Sequence, residues 1–362
     1  MNSVVESDKD AIDEGKILQD SMNQGLSGFT PDIMFEKFVQ NYKLANKLYG
    51  ETLLKRLSGY DPDYVERNIQ IPEFQKELKE KIDEKLKKLR KDGFIDKENN
   101  ITESGIELAS LVMCVEELDK IVSFGYSGER FQKHIHIYGE RTDLKYFRKG
   151  DRFKDISLNK SISRAIHRGH NSLSKEDLRV NLRQRKGEIE LVYAIDSSAS
   201  MKGAKLDAAK RAGVSLAFKA IDERDRVGLL VFGENVVTKT YPSKDFASIL
   251  KEITKIKPSG QTNFKNVIEE SFTVFSEKNV TKHLLLLSDA LPTAGDEPQR
   301  AALDAAAHAS ARGITISLIG LGLDPEGKEF GKKFIEVSGG RFYIAGALEN
   351  LNQIVLQDYY SV

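Results

Sequence analysis

One acid and several hydroxyl residues directly follow a buried-strand pattern, and this arrangement limits the possible folds more than any other stretch of the chain. Residues 189–195 are mostly apolar and β-branched, and Asp196-Ser197-Ser198-Ala199-Ser200 comes next. A long helical pattern begins near Ala204. In open α/β sheets a strand, a polar turn and a helix follow in this order, and ligands bind at the carboxyl ends of the strands. The sequence therefore predicts a ligand site at this turn.

Oxygen ligands of this kind suit a hard divalent cation. Mg²⁺ prefers octahedral oxygen coordination and keeps several of its waters, so a few protein oxygens are enough and a position stays open for an outside ligand. Two later stretches offer further oxygens. The Gly-containing loop 259–263 carries Thr262 at the start of a helical pattern, and the strand pattern 284–288 is followed by Asp289.

These residues resemble the metal-ion-dependent adhesion site of the von Willebrand factor A (VWA) domain family. The family pattern is Asp-x-Ser-x-Ser, then a Thr, then an Asp, and it is matched in order by Asp196, Ser198, Ser200, Thr262 and Asp289. The resemblance implies a bound Mg²⁺, or Mn²⁺ in its place, which the two serines bind directly and the Thr and the acids bind directly or through water. A Glu or Asp of a protein partner would complete the coordination. Ala199 and Ala290 stand where many family members have Gly.

Strand and helix patterns alternate over residues 187–362 and predict the VWA domain itself. The predicted fold class is α/β, with a doubly wound, mostly parallel six-stranded sheet whose strand order, implied by the resemblance, is 3-2-1-4-5-6. Residues 236–241 end at Pro242 and are expected to form an antiparallel edge strand. In this order strands one and four are neighbours at the switch point of the sheet, so Asp196 and Asp289 are expected to meet there.

The N-terminal part is expected to be a mainly α-helical, winged-helix-like domain over residues 29–130, preceded by a flexible tail over residues 1–28, which carry few large apolar groups. After Pro31, apolar residues recur at steps of three and four and predict a core-facing helical stripe. Residues 89–108 resemble the hairpin of winged-helix domains, in which a residue like Thr102 caps the second helix. A small helical scaffold is favoured over a DNA reader, because the net charge is zero.

Residues 131–186 are rich in Lys and Arg and are expected to form a basic connector. Four of the six histidines of the chain lie in it, namely His134, His136, His167 and His170. Neither close pair is accompanied by Cys or an adjacent acid at ligand spacing, so a solvated connector is favoured over a zinc site. Residues 155–162 and 174–180 resemble the segment that precedes the VWA domain in magnesium-chelatase D subunits and CoxE-like proteins. That resemblance implies a MoxR-type AAA+ ATPase as a partner.

Composition argues against several classes of protein. The 55 basic and 55 acidic side chains balance, which is unlike a globally nucleic-acid-binding or membrane-adsorbed protein. The one cysteine, Cys114, cannot form an internal disulfide and fits a reducing compartment. The acidic N-terminus is unlike a targeting peptide, and no apolar run approaches the ~20 residues of a membrane helix. A cytoplasmic protein without membrane contact is expected.

The function predicted from these features is protein binding without catalysis. The chain lacks a Gly-x-x-x-x-Gly-Lys-Ser/Thr phosphate-binding loop, and no histidine base is evident near the metal motif. We therefore expect an adaptor that captures a partner carboxylate through Mg²⁺ and works with a MoxR-type AAA+ ATPase. The alternatives are a subunit of a metal-chelatase-like or metal-dependent hydrolytic enzyme, and a nucleic-acid adaptor that uses the winged-helix-like segment.

Overall fold

The N-terminal part of the chain folds into helices, and the first of them begins near the start of the described residues. This computed structural model describes residues 9–127, 143–146, 157–168, 170, 174, 176–182, 188–278, 280–289, 291–295 and 297–362. The helices of the first of these ranges are α1 (Lys9–Asn23), α2 (Pro31–Gln40), α3 (Tyr42–Tyr49), α4 (Glu51–Ser58), α5 (Pro62–Asn68), α6 (Pro72–Lys91) and α7 (Glu103–Ser127).

Local sequence signals divide the predicted apolar stripe after Pro31 over three helices. Pro31 begins α2, where its missing N–H leaves no helical hydrogen bond unmade. Asn41 ends α2 and caps α3, because its Oδ1 accepts a hydrogen bond of 3.0 Å from the backbone N–H of Leu44. Gly50 separates α3 from α4 with a φ of 79°, a conformation that Gly adopts without strain.

The predicted flexible tail is folded from Lys9 onward. Helix α1 buries Ile17, Leu18 and Met22 in the core that it shares with the helices up to α7. The tail prediction was wrong for this helix because one narrow apolar face at helical spacing is enough to hold a helix in a core. Residues 1–8 of the predicted tail lie outside the described residues.

A short hairpin joins α6 to α7. Ile95 pairs with Ile101 in an isolated antiparallel bridge, and Asn99 takes a φ of 64° in the turn between them. The Oγ1 of Thr102 accepts a hydrogen bond of 3.2 Å from the N–H of Gly105 and caps α7. Because the pairing is limited to isolated bridges, the assignment of a winged-helix-like domain stays a prediction.

Part of the segment predicted to be a basic connector forms secondary structure. It contains β1 (Asp143–Tyr146), α8 (Leu158–His167) and β2 (Arg179–Leu182), and β1 pairs antiparallel with β2. The described residues of Ser123–Gly187 make up one compact unit, whereas those of Met1–Val122 and Glu188–Val362 together make up another. The N-terminal helices α1–α6 and most of α7 therefore belong to the same compact unit as the C-terminal half.

The C-terminal half alternates strands and helices, as predicted. Its elements are β3 (Ile189–Asp196), α9 (Ala204–Asp222), β4 (Arg226–Phe232), β5 (Val236–Ser243), α10 (Phe246–Lys255), α11 (Phe264–Val274), β6 (Thr281–Ser288), α12 (Pro298–Ala311), β7 (Ile314–Leu321), α13 (Pro325–Ser338), β8 (Gly339–Ala345) and α14 (Leu351–Tyr359). One-turn 3₁₀ helices cover Ala199–Met201 and Leu348–Asn350.

The six strands of this half form a single sheet in the order β5-β4-β3-β6-β7-β8. All neighbours are parallel except β4 and β5, which are antiparallel. This confirms the predicted α/β class, the strand order 3-2-1-4-5-6 and the antiparallel edge strand. Pro242 lies inside β5, which an edge strand tolerates because a missing N–H can face away from the sheet.

Strand β3 is the centre of the sheet and of the core. All eight of its residues are buried, because β4 and β6 flank it and helices cover both faces. Leu191, Tyr193 and Ile195 belong to the core cluster that α9, α10 and α14 cover. Val192 and Ala194 belong to the cluster on the opposite face, beneath α11, α12 and α13. The strand is thereby fixed in register, and so is the turn that leaves its carboxyl end.

Among the described residues, none of the helices combines the length and the apolar character needed to cross a bilayer.

Candidate metal centre

The five residues of the predicted metal motif lie together at the carboxyl edge of the sheet. Asp196 ends β3, and Asp289 directly follows β6. The two strands are parallel neighbours, with Ile195 paired to Leu287, so their carboxyl ends meet. The remaining members come from the turn after β3 and from the loop before α11, and they are Ser198, Ser200 and Thr262.

A continuous chain of hydrogen bonds joins the two acids through the two serines. The Oδ1 of Asp196 accepts a hydrogen bond of 2.8 Å from the backbone N–H of Ser198. The Oγ atoms of Ser198 and Ser200 lie 3.0 Å apart. The Oγ of Ser200 in turn donates to Oδ1 of Asp289 at 2.8 Å. Side chains of two separate strand ends thus converge within direct contact of one another.

The second oxygen of Asp196 accepts two further hydrogen bonds. Thr262 Oγ1 donates to Asp196 Oδ2 at 3.2 Å, and Ser288 Oγ donates to the same atom at 2.5 Å. Sequence reasoning missed Ser288. Ser288 is the last residue of β6. The signal in the sequence was its position directly before Asp289.

The position of Thr262 is fixed by the close approach of its own loop to the loop that contains Gly233. A Cβ on Gly233 would lie 2.8 Å from the carbonyl oxygen of Ser259, so a glycine is needed where the two loops touch. The N–H of Asn263 donates to the carbonyl of Gly233 at 2.9 Å. Thr293 then holds Thr262 from the other side, because its N–H donates to the Thr262 carbonyl at 2.9 Å and its Oγ1 accepts from the Thr262 N–H at 3.3 Å.

The turn after β3 also contacts the loop that carries Thr262. The N–H of Ala199 donates to the carbonyl of Gly260 at 3.3 Å. The methyl group of Ala199, the first departure from the family pattern, removes none of the oxygens described above. Ala290, the second departure from the family pattern, lies outside the described residues.

Two acids approach each other in a mostly buried setting. Asp196 is fully buried, and the side chain of Asp289 is 1% exposed. Burial raises the pKa of Asp196 above its ordinary value of 3.8, hydrogen bonds from Ser288 and Ser198 oppose that rise, and the charge of Asp289 adds to it. The Nζ of Lys205 lies 2.5 Å from Asp289 Oδ2 and supplies a positive charge at one end of the pair.

The donor set fits a hard divalent cation. It consists of carboxylate and hydroxyl oxygens, which Mg²⁺ and Mn²⁺ prefer, and a buried pair of acids gains from added positive charge. In the described parts of the chain no three or more His, Cys, Asp or Glu side chains form a metal-binding group. A site with two acids and three hydroxyls falls outside that kind of cluster. Whether a metal binds here stays a prediction.

The predicted histidine pairs are only partly described. His134 and His136 lie outside the described residues. Nδ1 of His170 lies 2.8 Å from Oδ2 of the buried Asp177, which also accepts hydrogen bonds from Ser174. His170 therefore has a structural partner in its own unit.

The N-terminal helical region contacts the segment that links Ser200 to α9. The N–H of Gly203 donates to the carbonyl of Asn23 at 3.0 Å, and Lys202 Nζ donates to the carbonyl of Leu48 at 2.8 Å. The Nδ2 of Asn23 also donates to Oδ1 of Asp207, in the first turn of α9, at 2.9 Å. The turn that carries the two metal-motif serines is therefore held on both sides, by the sheet and by the helices.

The same helical region contacts the second loop of the site. Lys257 Nζ donates to Ser27 Oγ at 2.8 Å, and a Cβ on Gly25 would lie 3.2 Å from the ring of Pro258. Lys257 and Pro258 lie just before Ser259 in the chain. The end of α1 and the connection that follows it thus contact, respectively, the segment after Ser200 and the loop before Thr262.

Helix α7 is buried against the α/β domain over its middle turns. Met113 belongs to the core cluster beneath α9 and α14. Glu117 is fully buried and accepts hydrogen bonds from Asn352 Nδ2 at 2.6 Å, from Arg211 at 3.2 Å and from Ser215 at 3.3 Å. The face of α7 that carries Met113 and Glu117 is therefore packed against the α/β domain.

One family model matches part of the α/β half. Residues 191–291 match the family model described as von Willebrand factor type A domain, and all five residues of the metal motif lie in this range. No curated protein matches the chain.

Similar solved structures cover about half of the chain. BatB from Bacteroides thetaiotaomicron has 20% identity and a TM-score of 0.41, with 48% of this chain and 98% of that one covered. An aerotolerance-related membrane protein from Bacteroides fragilis, with multiple mutations to serines, has 20% identity and a TM-score of 0.40, with 48% and 100% covered. The vWF domain of the pili tip protein Mfa5 from Porphyromonas gingivalis has 14% identity and a TM-score of 0.43, with 49% of this chain and 97% of that one covered. At these values they say nothing about the ligand of this chain.

Proposed function

We propose that this chain, which contains a von Willebrand factor type A domain, is a non-catalytic adaptor that captures a partner carboxylate through a bound Mg²⁺. VWA domains are in general protein-interaction modules. The observation that carries the proposal is the convergence of oxygens from three separate loops. They belong to Asp196, Ser198, Ser200, Thr262 and Asp289.

The residues of the site have distinct tasks in this proposal. The two acids would balance the charge of the cation, and the neutral hydroxyls would hold it without weakening its attraction for a further anion. When bound, the cation supplies the positive charge that draws in a carboxylate. Ser198 and Thr262 are buried whereas Ser200 is exposed, so the partner would approach from the side of Ser200.

The partner class is proposed from a second resemblance. The segment before the VWA domain resembles that of magnesium-chelatase D subunits and CoxE-like proteins, whose family works with MoxR-type AAA+ ATPases. A short helix, α8, and a strand that begins at Arg179 lie in this segment and support the proposal. We therefore propose a cytoplasmic adaptor whose partner is a MoxR-type AAA+ ATPase.

Contacts in the α/β domain favour binding over hydrolysis. A hydrolytic site would need a base near the cation. His283 is fully buried near the amino end of β6 and contacts Asp358 at 2.7 Å, whereas Asp289 follows the opposite end of the same strand. His308 lies on α12. A metal-chelatase-like or hydrolytic subunit is therefore the second choice, and a nucleic-acid adaptor is the third, because the net charge of the chain is zero.

Direct metal binding is the first test of the proposal. We expect titration calorimetry with Mg²⁺ or Mn²⁺ to show one site in the wild type, and Asp196→Asn to weaken binding by roughly tenfold or more. Asp304→Asn is the matched control, because Asp304 is an exposed acid on α12. Equal binding by all three proteins would rule out a metal site at this edge of the sheet.

Partner capture is the second test. The wild type, Asp196→Ala and Asp304→Ala are used as baits in Mg²⁺ and in EDTA, with a purified AAA+ ATPase as the prey. We expect retention only by the wild type and the control, and only with Mg²⁺. Retention by Asp196→Ala, or retention of the wild type in EDTA, would contradict docking through the cation.

A further inference from the structure

Lys205 makes the closest charged contact at the proposed metal centre. Its Nζ lies 2.5 Å from Oδ2 of Asp289, whose other oxygen accepts the hydrogen bond from Ser200. The carboxylate of Asp289 is 1% exposed and the side chain of Lys205 is 40% exposed. Both oxygens of one acid of the metal motif are thus engaged by the protein itself.

The position of Lys205 in α9 gives it access to the site. The next residue, Leu206, is fully buried in the core, and Asp207 binds the helical region through Gln19 and Asn23. These neighbours fix the first turn of the helix from two sides. The ammonium of Lys205, at the end of a flexible four-carbon stem, reaches Asp289 from this fixed turn and can leave it without disturbing the core.

Lys205 and a divalent cation would bind the same carboxylate, that of Asp289. In the ion pair, the ammonium balances part of the charge of the two acids, and without it Asp289 would be a buried carboxylate that lacks a counter-charge. A cation bound by the acids would have to replace the ammonium on Asp289 or sit beside it, and either arrangement costs free energy through lost pairing or through repulsion of like charges.

We propose that Lys205 is a built-in competitor of the metal, which occupies Asp289 in the metal-free protein and thereby lowers the affinity of the site for Mg²⁺. This inference rests on the proposed function and adds its regulation. Capture of the partner then depends on the concentration of free Mg²⁺ over a range that Lys205 sets. The displaced ammonium stays tethered to the first turn of α9 and adds to the positive charge that an acidic partner meets.

Calorimetric titration of the full chain with Mg²⁺ alone tests the competition. We expect Lys205→Met to bind Mg²⁺ about tenfold more tightly, because one like charge near the site is removed. Lys205→Arg keeps the charge and is expected to bind like the wild type. Lys328→Met, an exposed lysine of α13, is the control for a change in overall charge. Equal or weaker binding by Lys205→Met overturns the inference.

A thermal melt separates competition from a merely structural role. In EDTA, Lys205→Met is expected to melt below the wild type, because Asp289 is then buried without a counter-charge. In saturating Mg²⁺ this difference should disappear, since the metal supplies the charge. A difference of the same size in both conditions would mean that Lys205 only holds the fold. If the wild type binds no Mg²⁺ at all, the proposed function fails; if it binds and Lys205→Met binds no more tightly, only this inference fails.

Discussion

The hydroxyl of Ser200 donates a hydrogen bond of 2.8 Å to Oδ1 of Asp289, a residue 89 positions further along the chain. This contact closes the metal motif, because it joins the turn after β3 to the end of β6. Ser200 is exposed, whereas most of the site behind it is buried. A substitution of Ser200 therefore tests the site with little effect on the core.

Ser200→Ala is expected to weaken Mg²⁺ binding by roughly tenfold or more while leaving the fold intact. The change removes one oxygen of the motif and the link to Asp289. The free energy of unfolding in EDTA should fall by at most about 1 kcal/mol, the net worth of one exposed hydrogen bond. Titration calorimetry and urea unfolding measure the two effects. Ser310→Ala, at an exposed position of α12, is the control, and unchanged affinity in Ser200→Ala would contradict the assignment of Ser200.

Mg²⁺ is expected to raise the melting temperature of the wild type and to leave that of Asp196→Ala unchanged. A ligand at 100 times its dissociation constant stabilises the folded state by about 2.7 kcal/mol through mass action alone. Scanning calorimetry in EDTA and in increasing Mg²⁺ measures the shift. A rise of equal size in both proteins would show that Mg²⁺ acts elsewhere on the chain.

The metal-free protein is expected to lose stability, relative to Asp196→Asn, as the pH rises. Burial raises the pKa of Asp196 in the folded state above its ordinary value of 3.8. A raised folded-state pKa gives a contribution that is fully present below the unfolded-state pKa and is lost as the pH rises through the folded-state pKa. Urea unfolding in EDTA at steps from pH 4 to pH 7 measures the difference between the two proteins. A constant difference across these steps would contradict the raised pKa.

The affinity for Mg²⁺ is expected to rise with pH, whereas the stability of the metal-free protein falls relative to Asp196→Asn. The cation needs the ionised carboxylate, so its affinity is expected to rise as the pH rises above 3.8 through the raised pKa of Asp196. Titrations of the wild type at the same pH steps test this. An affinity that falls with rising pH would show that Asp196 does not bind the cation as a carboxylate.

Asp207→Ala is expected to loosen the metal motif from the helical side. Asp207 accepts hydrogen bonds from Gln19 at 2.5 Å and from Asn23 at 2.9 Å, and both of these side chains are buried. Loss of their acceptor should lower the free energy of unfolding by about 2 kcal/mol or more. Since Asn23 also holds Gly203, Mg²⁺ affinity should fall severalfold.

Asp304→Ala is the matched change on an exposed face of α12. The two variants are compared by urea unfolding and by Mg²⁺ titration. If Asp207→Ala loses stability but binds Mg²⁺ like the wild type, the helical region supports the fold without supporting the metal motif.

The sequence by itself determined the local parts of this protein. Alternation of strand and helix patterns predicts the α/β class, and the order of the sheet followed from the family that the metal motif resembles. Asp196, Ser198 and Ser200 share one turn, so their grouping is encoded within five residues. The end of β6 predicts the placement of Asp289, because parallel neighbouring strands bring their carboxyl ends to one edge.

Only the tertiary structure decided which other side chains surround the motif. The contact of Lys205 with Asp289, of Ser288 with Asp196 and the approach of Asn23 to Gly203 each join residues that lie far apart in sequence. Such contacts depend on how helices and loops pack, and no local period or motif encodes that packing. The same holds for α1. Its apolar face is narrow, so the sequence alone indicated a polar tail, and packing against the other helices is what buries this face in a core.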